Sequence, residues 1–319
     1  MTEPRKLAGT SVVPAVAEPV ASPTELRNDR TLDIDMLPTV ALLERLNAED
    51  ATVADAVRRA IPDLAKVVDA GTRALRSGGR VHYFGSGTSG RLAFLDAAEL
   101  RPTFGLESGI VIAHIAGGQS ALTSAVEDAE DDRASGAADA AEVSRSDLVI
   151  GLSASGSAPY VGGALESAQQ AGAVTALFTA NPQASLRADA DIVVCAETGP
   201  EALTGSTRLK AGTAEKLLLN SFSTALMIQD GRTFSNLMVR LSPANSKLRA
   251  RQVRLLTQAS GASAADCAAA LSAADGSVQV ALVSLLSGAD AATSRHALAE
   301  AGGVARTAIA AIADSHPRA

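Results

Sequence analysis

At 319 residues the chain is long enough to bury a large core and to hold one large domain plus a smaller one. Its net charge of -7, with no dense Lys/Arg block, repels nucleic acid. Its longest apolar runs, such as Val278–Leu286, are too short to cross a bilayer, and with 3% aromatic residues and no Trp a ligand cleft must rely on hydrogen bonds rather than stacked rings.

Residues 1–22 are rich in Pro, Ala and Val without periodicity, which predicts a disordered tail. Pro and Glu interrupt its apolar residues, so it lacks the continuous core of a signal peptide and predicts a cytoplasmic protein. From Thr39 to about Ser77 apolar residues recur at helical spacing, as in Val53, Val57, Leu64, Val67 and Val68. The period then changes. Short apolar runs at Val81–Phe84, Ile110–Ile115, Leu148–Leu152, Val174–Phe178 and Ile192–Cys195 alternate with helix-length segments. Nearly continuous apolar strands of this kind predict an α/β fold, a five-stranded parallel sheet flanked by helices, with ligands at the carboxyl ends of the strands. From Thr204 to about Leu241 the pattern is helical again, and Ser242–Ala244 marks a break. The remainder, Asn245–Ala319, is Ala-rich and punctuated by Gly261, Gly276, Gly288 and Gly302–Gly303. The expected organisation is a tail at 1–22, a ligand-binding domain with N-terminal helices at 23–243 and a small helical domain at 244–319.

The two cysteines, Cys195 in an apolar run and Cys267 in an Ala-rich stretch, have no CxxC partner and read as packing residues. Four scattered histidines offer no metal-ligand pattern.

After the first strand comes Gly85-Ser86-Gly87-Thr88-Ser89-Gly90, formally a GxGxxG fingerprint. A dinucleotide site also wants an acid at the end of the second strand, where this chain has Ala116-Gly117-Gly118-Gln119. What the loop has in excess is hydroxyls, Ser86, Thr88 and Ser89, beside free backbone N–H groups at a helix start, a combination suited to phosphate. The third strand repeats the device with Ser153, Ser155, Gly156 and Ser157, so the pair predicts a phosphate monoester ligand. The plainer reading of either loop is a strand–helix turn capped by Ser. A third segment, Leu203–Lys210, adds Ser206, Thr207 and Lys210 as expected ligand contacts.

Two carboxylates stand out. On the helix beginning near Ser89, Leu92, Leu95 and Glu99 share one face, with Pro102 expected to end the helix. In the next expected helix, Leu122, Val126 and Ala129 define the buried face and Glu130 lies at its edge. A salt bridge is the plainer role for such an acid. Glu99 lies near the far end of its helix, so its reach to the same cleft implies a second subunit.

These segments resemble the N-acetylmuramic acid 6-phosphate etherases of the sugar isomerase (SIS) superfamily. The resemblance runs from about Pro23 to the C-terminus. It is carried by Thr24–Asn28, Gly85–Gly90 with Leu95–Glu99 and Pro102–Gly105, Ala116–Gly118, Glu127–Asp131, Leu203–Lys216, Asn236–Val239, and Asn245 with Lys247–Arg251. It implies a flavodoxin-like SIS fold and cleavage of the D-lactyl ether of N-acetylmuramic acid 6-phosphate, to N-acetylglucosamine 6-phosphate and D-lactate, in cell-wall recycling. It further implies a cofactor-free homodimer in which Glu99 matches the family's proton donor and Glu130 its second active-site Glu. A donor must stay protonated near neutral pH, and an apolar flank around Glu99 is expected to ensure that. One departure is visible: the family usually reads SGRTPY where this chain has Ser155-Gly156-Ser157-Ala158-Pro159-Tyr160. Ala158 lacks a hydroxyl and Ser157 a cation, which is expected to lower phosphate affinity more than it affects the reaction. A non-catalytic sugar-phosphate sensor and an aldose–ketose isomerase are the alternatives; the first has no need of two carboxylates and the second releases no lactate.

Overall fold

The computed structural model describes residues 22–240 and 246–315. The expected tail up to residue 21 and the expected break at Ser242–Ala244, with Asn245, lie outside the described residues.

Five parallel strands form the main sheet: β1 (Val81–Gly85), β2 (Val111–Ile115), β3 (Leu148–Leu152), β4 (Val174–Thr179) and β5 (Ile192–Cys195), in the order β2-β1-β3-β4-β5. Every residue of β1 and β3 is buried, which is why these runs lack polar alternation. Alternate residues serve opposite faces. Tyr83, Ile150 and Phe178 join one core with α2 (Val53–Arg76), α3 (Gly87–Phe104) and α6 (Lys210–Gln229). Phe84, Val149 and Leu177 join another with α5 (Pro159–Gln170), on which α4 (Arg133–Asp139) packs. α1 (Thr39–Asp50) precedes α2. The chain leaves β1 toward β2 on one side and returns to β3 on the other, so the loops after β1 and β3 diverge and leave a crevice between them.

Three local expectations are corrected. Pro102 lies inside the last turn of α3, which ends at Gly105 (φ 62), the residue able to take the left-handed cap. Residues 118–132 are not a helix but two 3-10 turns, Gly118–Leu122 and Ala129–Asp131. Gly117 (φ 83), Gly118 (φ 67) and Asp128 (φ 58) interrupt any right-handed helix there. The helical stretch expected from Thr204 to Leu241 is α6 alone; after Gly231 (φ 71) the chain forms the hairpin β6 (Thr233–Phe234) and β7 (Leu237–Met238).

The C-terminal region holds α7 (Ser246–Ser260), α8 (Ala264–Ala273), α9 (Val278–Ser287), α10 (Ala291–Glu300) and α11 (Ala305–Ser315). Ser263, Ser277 and Asp290 cap α8, α9 and α10 by accepting from backbone N–H groups. These helices close on a core of their own around Leu256, Cys267, Leu282 and Ala308, which Val239 of the preceding segment joins. Among the described residues no single helix is long and apolar enough to cross a membrane.

Candidate active site

A cavity of about 350 Å³ opens at the crevice beside the carboxyl ends of β1 and β3. Its floor is the glycine loop, and each glycine has a distinct reason. A Cβ on Gly85 would lie 2.7 Å from the Gly90 nitrogen, and one on Gly90 would lie 2.4 Å from Ile115 Cγ1. These two let α3 start directly against β1 and β2. Gly87 is left-handed (φ 52) and turns the chain into the helix. Ser86 sits at the helix N-cap without a side-chain cap bond, so its hydroxyl and the first N–H groups of α3 stay available for an anion. Ser86, Gly87, Thr88 and Ser89 all line the cavity.

From the loop after β3, Ser153 and Ser155 line the cavity; Gly156 and Ser157 do not. Ser153 Oγ accepts from the Gly156 backbone at 3.0 Å, and the Ser155 and Ser157 hydroxyls are 2.9 Å apart. Gly156 and Ser157 therefore shape the loop behind the two lining hydroxyls. Ala158 is buried and is the N-cap of α5, so the hydroxyl missing there is also a missing helix cap.

The third segment is arranged differently from the expectation. Thr207 and Gly205 line the cavity, whereas Ser206 does not. Lys210, expected at the ligand, is fully buried, and its Nζ donates to Glu49 Oε2 at 2.9 Å. Glu49 also takes Asn28 Nδ2 at 2.8 Å and the guanidinium of Arg30. The side-chain hydrogen bond from Arg30, with those of Lys210 and Asn28, holds its carboxyl down at about 2 against the opposing effect of burial. The N-terminus of α6 is likewise occupied, because Glu201 accepts from the Lys210 and Ala211 backbone N–H groups at 2.8 and 2.9 Å. Of the two long helices that open at this cavity, α3 alone presents an uncapped end.

The same network carries a residue that sequence reasoning did not single out. Thr31 Oγ1 donates to Ala202 O at 2.9 Å and the Gly205 N–H to Thr24 O at 3.0 Å, so the segment after Ser22 is stitched along the 200–207 loop. This places Glu25 on the cavity wall. Its sequence signal was only its place in the Thr24–Asn28 match.

Glu130, on the short turn before α4, lines the cavity and is exposed there. Glu215 of α6 lines it too, but is buried, receiving Ser89 Oγ at 2.7 Å. Burial pushes its carboxyl up to about 7, with only the Ser89 bond opposing. Sequence reasoning missed Glu215, although it lies on the apolar stripe of Ala211, Ala214, Leu218 and Phe222, the same cue that drew attention to Glu99.

Glu99 is not brought to this cavity. It is exposed and lines a separate one of about 320 Å³, with Asp96, Lys216, Asn220 and Ser223. The stripe of Leu92, Leu95 and Glu99 is not the buried face of α3, since Leu95 is 52% exposed. The face against the sheet carries Ala93, Asp96, Leu100 and Phe104, with Asp96 accepting from Tyr83 Oη at 3.0 Å and Ser223 Oγ at 2.8 Å. Leu95, Leu100 and Phe104 line the same cavity as Glu99, but Glu99 itself stays exposed, so its own chain does not bury it.

Solved structures similar to this chain include a phosphoheptose isomerase from Francisella tularensis (TM-score 0.47, 19% identity, 58% of this chain and 98% of that one). A phosphoheptose isomerase from Neisseria gonorrhoeae is similar to a like degree (TM-score 0.43, 18% identity, 58% and 98%). Residues 63–169 match the family described as the glucokinase regulatory protein N-terminal SIS domain. An N-acetylmuramic acid 6-phosphate etherase of Thermobifida fusca is 57% identical over 266 residues, 83% of this chain and 88% of the relative. One of Enterobacter sp. strain 638 is 49% identical over 258 residues, 80% and 87% of the two chains. With identities of 57% and 49% over about four-fifths of its length, the chain belongs to the N-acetylmuramic acid 6-phosphate etherase family.

Proposed function

We propose that the chain cleaves the D-lactyl ether of N-acetylmuramic acid 6-phosphate, giving N-acetylglucosamine 6-phosphate and D-lactate, as a cytoplasmic, cofactor-free enzyme of cell-wall recycling. The observation that carries this reading is the 57% identity over 83% of the chain to a relative named for that ether cleavage. The cavity supports it: Ser86, Thr88, Ser153, Ser155 and Thr207 offer hydroxyls, and the uncapped start of α3 offers N–H groups to a phosphate.

In the open-chain sugar the C2 proton lies next to the aldehyde and is acidic, and the lactyl oxygen is on C3. One carboxylate takes the C2 proton; the C3–O bond breaks as the other carboxyl protonates the departing lactate. Water then adds at C3 across the double bond, so substrate plus water balances the two products. Glu130 and Glu99 are the residues assigned to these roles, Glu99 as the donor.

Because Glu99 lies outside the cavity that holds Glu130, we infer a homodimer in which each site combines Glu130 of one subunit with Glu99 of the other. Exposed apolar side chains support a covered surface: Leu95 beside Glu99, and Leu26, Met36, Val40 and Leu43 on the N-terminal segment and α1. In this reading residues 23–243 form the catalytic domain and 244–319 an accessory helical domain.

The test is direct. Purified protein incubated with N-acetylmuramic acid 6-phosphate is expected to release one equivalent of D-lactate, read with a D-lactate dehydrogenase assay. Folded, dimeric protein that releases none overturns the reading.

A further inference from the structure

The elimination uses Glu99 and Glu130 and leaves Glu215 without a task. Glu215 is 6% exposed and stands between two environments. On one side is the polar cavity; on the other is a small void of about 10 Å³ walled by Phe178, Ala196, Ala214 and Leu218. Its Oε2 accepts from Ser89 Oγ at 2.7 Å, and its Oε1 has no hydrogen-bond partner among the described residues. No cation lines the cavity among the described residues, whereas Glu25 and Glu130 line it as well. Of the two cations on α6, Lys216 lines the Glu99 cavity with Asp96, and Lys210 is paired with Glu49. Phe178 and Thr179 of β4, Ala180 just after it and Ala196 just after β5 line the void with Glu215 and are all uncharged, and α3 brings Thr88 and Ser89 to the cavity side.

A phosphate dianion entering this cavity meets a conflict. While Glu215 is ionised, it adds a third negative charge and consumes the one proton of the Ser89 hydroxyl, which a phosphate oxygen also needs. A neutral carboxyl reverses the bond, because its O–H donates to Ser89 Oγ and the Ser89 proton is released. We propose that Glu215 is a positioning residue for the anionic group: in its neutral form it donates to Ser89 Oγ and turns the Ser89 hydroxyl proton toward a phosphate oxygen. This rests on the reading of the ligand as a phosphate ester. Its consequence is that binding of a dianion takes up a proton when the free protein holds Glu215 ionised. The burial that raises the carboxyl to about 7 places that coupling near neutrality.

Sulfate, a dianion that does not titrate in this range, is the probe, with its dissociation constant measured by calorimetry from pH 5.5 to 8.5. For the unaltered protein affinity is expected to be level below about pH 7 and to weaken by up to about tenfold per pH unit above it, the slope of one coupled proton. In Glu215→Gln the amide N–H donates to Ser89 at every pH, so the profile is expected to be flat; in Ser89→Ala binding is weaker at low pH and the slope above about pH 7 is shallower, because only the charge of the Glu215 carboxylate then opposes the anion. With the substrate, the same dependence is expected in KM rather than in kcat. No sulfate binding, a flat profile in the unaltered protein, or a sloping one in Glu215→Gln overturns the proposal. If Glu215→Gln fails to fold by thermal melting, a profile in Ser89→Ala as steep as that of the unaltered protein does so. Absence of D-lactate release would instead sink the etherase reading, and leaves the sulfate profile as an independent result.

Discussion

Lys210 and Glu49 show how differently one residue reads in sequence and in space. A Lys after a run of hydroxyls resembles a phosphate ligand, yet its side chain runs into the core to meet a carboxylate 161 positions away. Nothing local to Leu203–Lys210 specifies that partner, so this contact was not legible. The buried pair ties α1 to α6, and removing one partner leaves the other charge enclosed. Glu49→Ala is expected to cost about 3–5 kcal/mol of unfolding free energy, read by urea denaturation. The carboxyl is held at about 2, below its ordinary 4.5. The stabilisation is therefore complete above pH 4.5 and is lost as pH falls through about 2. The stability gap between the unaltered protein and Glu49→Gln should close over that acid window and stay constant from pH 5 to 7. A gap that instead widens toward low pH would contradict the assignment.

At the scale of elements, the strands and their loops were largely legible, because a strand buried on both faces needs a continuous apolar run. β3 and β5 have the expected bounds, and β1, β2 and β4 differ by one residue at one end. The glycines of Gly85–Gly90 were recognisable as a motif, but their separate duties follow from packing. Gly90→Ala would place a methyl 2.4 Å from Ile115 Cγ1 and 2.9 Å from the Gly85 carbonyl, driving α3 off β2. A loss of about 1–3 kcal/mol in thermal or urea unfolding is expected, with KM for the substrate rising because Ser86–Ser89 move with the helix. Unchanged stability would mean that α3 packs less closely than described. The region 118–132 was misread because Leu122, Val126 and Ala129 mimic a helical stripe over a segment whose left-handed Gly117, Gly118 and Asp128 forbid one. Gly117-Gly118 was the available signal, since paired glycines favour turns over helices.

On the scale of the whole molecule, the separation of Glu99 from the Glu130 cavity carries the strongest consequence. If each site joins two subunits, Glu99→Gln and Glu130→Gln are each inactive alone, but a dimer of one of each holds one intact site and one doubly altered site. Co-expression in equal amounts, with random pairing, is then expected to restore about a quarter of the unaltered D-lactate release. No recovery from mixed dimers would show that both carboxylates act within one chain. The sequence alone determined the α/β sheet, the hydroxyl-rich loops at its carboxyl edge, the helical C-terminal region and the family, because these depend on local periodicity and on long ordered matches. Only the tertiary structure decided that α3 turns Leu95 and Glu99 outward, that Lys210 faces Glu49, and that Glu25 and Glu215 stand beside Glu130. The physical reason is that a side chain's partner is set by which faces the folded elements bring together, and contacts between residues far apart in the chain leave no trace in local spacing.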